Sequence, residues 1–288
     1  MEQVSNLLNE ATKNLQPSLG KTDEHYEQVK PVLLAKYGFD DLDKWQVNEI
    51  EITEKELAAC DGCTGQCLKS GNRHFVPVIR NLNGLNIAYA YCKYGEQLRI
   101  TSQCRKASIP AKYAGKTFAD YEVTDENRRA AEGAKWFVQL RPNRGLYLHG
   151  EAGTGKTFLS SIIAREYVKN GYNVIFGDVP LLMNRLKATF DKGGTDELLD
   201  RYGKCDLLVL DDLGAGQVTD WNVGIIYQII NTRYNAQRPI IATSNYDLRD
   251  LETVLSKSDE FTGRRITSRL REMCYQLYLG RNDRRNSK

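Results

Sequence analysis

Eight consecutive residues near the middle of the chain carry the most specific chemistry: Gly150, Glu151, Ala152, Gly153, Thr154, Gly155, Lys156 and Thr157, reading GEAGTGKT. The spacing satisfies G-x-x-x-x-G-K-[ST], a glycine-rich turn that leaves backbone N–H groups bare. A helix opening there and running on through Phe158 would aim its positive end at the same point, which suits a polyphosphate. Lys156 is the residue to reach β- and γ-phosphates, and the Thr157 hydroxyl is a hard ligand for Mg²⁺. A magnesium ion so held needs a carboxylate from the tip of a neighbouring strand. LLVLDD supplies Asp211 for the metal and Asp212 to orient and deprotonate a water. PIIATSN ends on Asn245, an amide suited to holding that water against the γ-phosphate. Arg264, Arg265, Arg269 and Arg271 crowd one later stretch, and guanidinium groups stabilise the negative charge that phosphoryl transfer disperses. ATP or GTP with Mg²⁺ is the cofactor these residues imply.

A second constellation lies upstream. Five of the seven cysteines fall between 60 and 104. In a reducing compartment such a cluster reads as a metal site rather than as disulfides. CDGCTGQC gives Cys60, Cys63 and Cys67, and a hairpin predicted from HFVPVIR, Asn81–Gly84 and LNIAYAYC returns Cys92. These four are the expected zinc ligands, with His74 or Cys104 as substitutes. Unligated structural thiols and an iron–sulfur cluster are the alternatives. Four protein ligands leave no open position, so the ion would staple a small domain rather than catalyse.

The elements that must position these groups follow from periodicity. GLYLH reads as a buried strand entering the glycine loop, and FLSSIIAREYVKNG as the helix leaving it. Residues 173–177, DLLVLDD, PIIATSN and YQLYLG read as further strands. VPLLMNRLKATF, GGTDELLDRYGK, DWNVGIIYQIINTRYNAQ, LRDLETVLS and GRRITSRLREMC read as helices. Alternating strands and helices with nearly continuous apolar strands define an α/β fold, a parallel sheet with helices on both faces. Ahead of it, residues 1–59 read as polar helices interrupted at Pro31 and Gly38. Thr53–Glu56 offers a capping box, and Thr124 is the expected cap of a helix over 125–140. The 288 residues, 41% hydrophobic and 27% charged, fit a large and a small domain of a water-soluble protein. No apolar run would span a bilayer and the N-terminus lacks a signal-peptide pattern, so no membrane partner is expected and the cytoplasm is the expected compartment. A net charge of +3 is too small to imply nucleic acid by itself. Its distribution is uneven, with an acidic stretch over 1–50 and a basic one over 261–288.

Taken together, GEAGTGKT, LLVLDDLG, ATSNYD, GRRITSRLRE and LGRNDRR resemble the AAA+ ATPases of the bacterial and phage replicative helicase-loader type (DnaC/DnaI-like) over roughly 105–288. The resemblance implies an AAA+ P-loop domain at 105–288 and a helicase-interacting domain at 1–104, with its zinc site over about 53–104. It makes Lys156 and Thr157 the Walker A pair, Asp211 and Asp212 Walker B, Asn245 sensor 1 and Arg269 an arginine finger acting on a neighbouring subunit. Arg284 matches the sensor 2 arginine, with Arg285 its rival. The implied partners are a DnaB-type hexameric helicase, single-stranded DNA and further copies of the chain. The basic helix around Met183–Lys187, with Lys192, is the candidate DNA surface. One departure is Asp-Asp where AAA+ proteins usually carry Asp-Glu, which implies slow turnover. A transposition helper ATPase of the IstB type shares the same core and is the competing expectation.

Overall fold

The computed structural model describes residues 22–67, 73–190 and 195–283. The chain divides into two compact units, 1–97 and 98–288. In the smaller unit, helix α1 (Asp23–Tyr37) starts on Thr22, whose hydroxyl accepts from the His25 N–H, and stops at Gly38 in a left-handed conformation. Pro31 does not interrupt it. Pro31 and Glu27, whose carbonyl loses its donor, are both exposed, so water can satisfy the orphan. Helix α2 (Lys44–Ala58) opens on an Asp43/Gln46 capping box, with the Gln46 N–H donating to Asp43 and the Asp43 N–H to Gln46. The box expected at Thr53–Glu56 therefore starts nothing. Thr53 lies inside this helix and its hydroxyl donates back to the Glu49 carbonyl. Strands β1 (Phe75–Asn81) and β2 (Leu85–Tyr91) form the expected antiparallel hairpin. Leu33, Phe39, Leu42, Val47 and Ile50 make the core beneath it.

In the larger unit, helix α3 (Lys93–Lys106, which carries the boundary between the units) leads through a 3₁₀ turn at Phe118–Asp120 to α4 (Arg128–Leu140). Thr124 does not cap α4. Asn127 precedes it and its side chain turns backwards, taking the Thr124 N–H and donating to Tyr121 Oη and the Glu122 carbonyl. There follow β3 (Gly145–His149), α5 (Lys156–Lys169), β4 (Val174–Asp178), α6 (Val179–Phe190) and α7 (Thr195–Lys204). Then come β5 (Leu207–Asp211), α8 (Asp220–Asn235), β6 (Ile240–Ser244), α9 (Leu248–Leu255), α10 (Glu260–Met273) and β7 (Cys274–Tyr278). All five strands are parallel, in the order β4-β5-β6-β3-β7. β5 and β6 are buried along their whole length, which is why their sequences lack polar alternation. One face carries Phe137, Leu159, Ile162 and Ile163, the other Leu186, Ile229, Leu251 and Leu270. No helix among the described residues is long and apolar enough to cross a membrane.

Candidate nucleotide site and its surroundings

The glycine loop joins β3, in the interior of the sheet, to α5, so it emerges at the carboxyl edge where the strand order reverses. Its turn is held by Thr154, whose N–H and hydroxyl both donate to the Glu151 carbonyl. Lys156 is buried, and its ammonium folds back on the Gly150 and Glu151 carbonyls at 2.8 Å each. Gly153 has φ +81°, and a Cβ there would fall 2.0 Å from Asp283 Oδ1. Only glycine permits that approach. Asp283 belongs to a tail that follows β7 along the loop. The Leu279 N–H donates to the His149 carbonyl, the Glu151 N–H to the Gly280 carbonyl, and Asn282 to Glu126 Oε1. Arg284 and Arg285 lie just beyond, outside the described residues.

Opposite the loop stand the strand-end acids. Register sets Asp178 of β4 against Asp211 of β5. Asp211 accepts from Thr243 Oγ1 at 2.7 Å, and Thr157 hydrogen-bonds the same carboxylate. Burial pushes Asp211 up to about 6, and the neighbouring Asp212 and Asp178 charges push the same way. Asp212 has φ +60°, and its N–H donates to the same Thr243 hydroxyl at 2.9 Å. One threonine thus fixes both acids. Thr157, Asp178, Asp211 and Asp212 share a cavity of about 590 Å³ whose lining also includes Lys106, Lys112, Arg185 and Arg201. Hard oxygens and cations lining one cavity suit a divalent ion and a polyanion together.

The remaining sequence candidates fall in three places. Phe158 stacks on Tyr113 at 5.0 Å and tilts against Tyr121 at 5.8 Å, and Tyr121 lies beside Gly155. Asn245 is exposed one residue past β6, while its neighbour Ser244 is buried and bonded to the Leu213 carbonyl. Arg269 is not bonded to the loop. Its guanidinium donates to Asn231 Oδ1 at 2.9 Å and lies over the rings of Tyr227 and Tyr234, all on α8. The strand tips missed from sequence are Thr243 and Asp178. Each ends an apolar run with a polar residue, but only register shows which acid it faces.

The four expected zinc cysteines, Cys60, Cys63, Cys67 and Cys92, line one cavity of about 340 Å³ together with His74. Three sulfurs accept backbone N–H groups: Cys63 from Gly65, Cys67 from His74 and Cys92 from Gly95, at 3.3–3.4 Å. Among the described residues, however, no three His, Cys, Asp or Glu side chains gather closely enough to hold a metal ion. Cys104 is not part of this group. It is fully buried in the core of the larger unit, where burial raises its thiol.

A glycine loop between an interior strand and a helix, with acids at the end of β5, the next strand but one in a five-stranded parallel sheet, defines an AAA+-like ATP-binding fold. Residues 93–288 match the IstB-like ATP binding protein family, and the chain belongs to that family. It is similar to the replicative helicase loader DnaI of Bacillus subtilis, 25% identical over 73% of this chain and 72% of that protein. It is also similar to the replicative helicase loader DnaC of Escherichia coli strain K12, 32% identical over 54% of this chain and 62% of that protein. The crystal structure of a DnaI superposes on 59% of this chain and 93% of its own, with a TM-score of 0.54 and 31% identity.

Proposed function

We propose that this chain is an ATP-dependent helicase loader, which binds a DnaB-type hexameric helicase and single-stranded DNA and delivers the ring during the initiation of replication. The observation that carries the reading is the convergence of the glycine loop, Thr157, Asp211 and Asp212 on one sheet edge, in a chain whose relatives are replicative helicase loaders. Gly150 to Phe158 hold the nucleotide, and Lys156 leaves its two carbonyls for the phosphates on binding. Thr157 and Asp211 offer hard oxygens that fit Mg²⁺, which when bound would neutralise charge on the transferring phosphoryl group. Asp212 orients and deprotonates the attacking water, and Asn245 holds it. With aspartate in place of the longer glutamate, turnover is slow, as suits a timing switch. Arg269 completes the site of a neighbouring copy, and Arg284 contacts the nucleotide from the tail. Helix α6, with Arg185, Lys187 and the outlying Lys192, binds the DNA backbone in a salt-dependent manner. In the N-terminal domain, 1–104, Cys60, Cys63, Cys67 and Cys92 hold zinc. What supports this is the donor set: four cysteine sulfurs on one cavity, three of them accepting backbone N–H bonds of the kind that orient a metal ligand.

The family's IstB name favours one other reading, a transposition helper ATPase. Capture assays with the full chain, with ATP and zinc content measured on the same preparation, separate the two. A replicative helicase is expected to be retained, a transposase is not, and Lys156→Ala is expected to lose ATP binding or turnover. Retention of the transposase alone would overturn the loader reading. A preparation free of zinc after purification without chelators would remove the zinc assignment.

A further inference from the structure

The tail after β7 is tied down beside the glycine loop by a series of hydrogen bonds. The Leu279 N–H donates to the His149 carbonyl at 2.8 Å, and the Glu151 N–H to the Gly280 carbonyl at 3.2 Å. Further on, Asn282 Nδ2 donates to Glu126 Oε1 at 3.0 Å. This path lays the exposed Asp283 with its carboxylate flat against Gly153, where a Cβ would run into both carboxylate oxygens. Gly153 stands in the middle of a loop whose bare N–H groups and following helix N-terminus attract anions, carboxylate and phosphate alike. The acids placed to serve a metal lie elsewhere. Asp178, Asp211 and Asp212 line the cavity that Thr157 shares, and Asp283 does not. Toward a polyphosphate its charge is therefore repulsive only. Glu151 is gripped from two sides, its N–H by the tail and its carbonyl by the Lys156 ammonium at 2.8 Å. Drawing Lys156 toward phosphates loosens the residue to which the tail is tied.

We propose that Asp283 sets the affinity of the nucleotide site: its carboxylate, strapped onto the loop by the tail, competes with the phosphates of ATP. A nucleotide binds by turning Asp283 away from Gly153, and part of its binding energy is spent on doing so. The sequence places the opposite charge, Arg284, next in the chain. A small shift of the tail therefore exchanges a group that phosphates repel for one that they attract. The brake keeps nucleotide from being held too tightly to exchange, as a timing switch requires. The proposal rests on the nucleotide reading of the loop and adds to it a residue that acts against binding.

The test measures ATP affinity by titration calorimetry on the full chain, for wild type, Asp283→Asn and Asp283→Glu, at low and at high salt. Asparagine keeps the shape of the side chain and removes its charge. Asp283→Asn is expected to bind ATP about three- to thirtyfold more tightly at low salt, and the gain is expected to shrink at high salt. Asp283→Glu retains the charge and is expected to stay near the wild-type value. Because Asp283 is exposed, neither variant removes buried packing, and melting curves check that both fold. Affinity in Asp283→Asn that is equal to or weaker than wild type would overturn the proposal while leaving the nucleotide site intact. So would an equal gain in Asp283→Glu, which would assign the effect to the shape of the tail, or a gain that ignores salt. If neither wild type nor the variants bind ATP, the nucleotide reading itself fails and this inference with it.

Discussion

At the scale of single residues, the strand-end acids are where the structure stores its tension. Asp211 sits at about 6 instead of 3.8 chiefly because it is buried. In the metal-free protein, the native state between about pH 4 and about 6 keeps a proton that the unfolded chain has released. Stability therefore falls as pH rises through that window, and the cost, on the order of 2–3 kcal/mol, is fully present above it. Asp211→Asn is expected to raise the metal-free melting temperature at pH 8 while abolishing turnover. A melting temperature unchanged or lowered by the substitution would show that the buried charge costs nothing. Thr243 makes a separate prediction, since its hydroxyl serves Asp211 and the Asp212 N–H at once. Thr243→Val is expected to lower turnover about 10- to 100-fold, by misplacing groups that act in the transition state, with little change in nucleotide affinity. Equal losses in both, measured by nucleotide titration beside phosphate release, would mean that it supports only binding.

At the scale of elements, the buried Arg233 shows how α8 is tied to the sheet. Its guanidinium is fully enclosed and donates to the carbonyls of Tyr202, Cys205 and Pro239, at the end of α7 and the entries of β5 and β6. Here carbonyls take the place of a carboxylate partner. Arg233→Ala strips these acceptors of their donors, and a loss of about 3–5 kcal/mol is expected, read as a lower denaturant midpoint. A loss under about 1 kcal/mol would mean that water replaces the guanidinium. Nothing in the sequence marked this arginine, because a helical position i says nothing about which loop ends will converge on it. The strands, by contrast, were legible: apolar runs bounded by glycine, proline or polar residues fall where β3 to β6 lie, and the YQLYLG stretch falls on β7. The helix starts were less so. Thr53 and Thr124 have the right chemistry for caps, but Asp43 with Gln46 caps α2 further upstream, and Asn127 takes the position before α4 with its side chain turned back to Thr124 and no side-chain cap bond. The glycine loop could be read because its chemistry is local in the sequence. The Thr243–Asp211 bond and the Asp283 approach could not, since both depend on strand register and chain path rather than on neighbours.

At the scale of the whole molecule, the proposed function predicts a site completed by a second copy of the chain. Arg269 is engaged by Asn231, Tyr227 and Tyr234 of its own α8, and the proposal assigns it to the site of a neighbouring copy. Arg269→Ala is expected to bind ATP and to lose turnover by about 10³-fold or more. Mixing it with Lys156→Ala, which contributes an intact arginine but no working loop, is expected to restore part of the phosphate release. No recovery at any mixing ratio would argue that Arg269 acts within its own chain.

The strand order has a consequence for how the protein is made. β3, which carries the glycine loop, lies between β6 and β7, the last two strands in the sequence. It leaves the ribosome before either of its neighbours, and at 5–20 residues per second the wait for β7 is on the order of ten seconds. Both edges of this mostly apolar strand stand open until β6 is made, and the β7 edge stays open to the end of the interval. Meanwhile the nascent chain carries the GEAGTGKT sequence without the tail that follows β7 along the loop. The ATP site is therefore the part of the domain begun early and finished last, so truncated translation products would be born unable to bind nucleotide and prone to aggregate through β3.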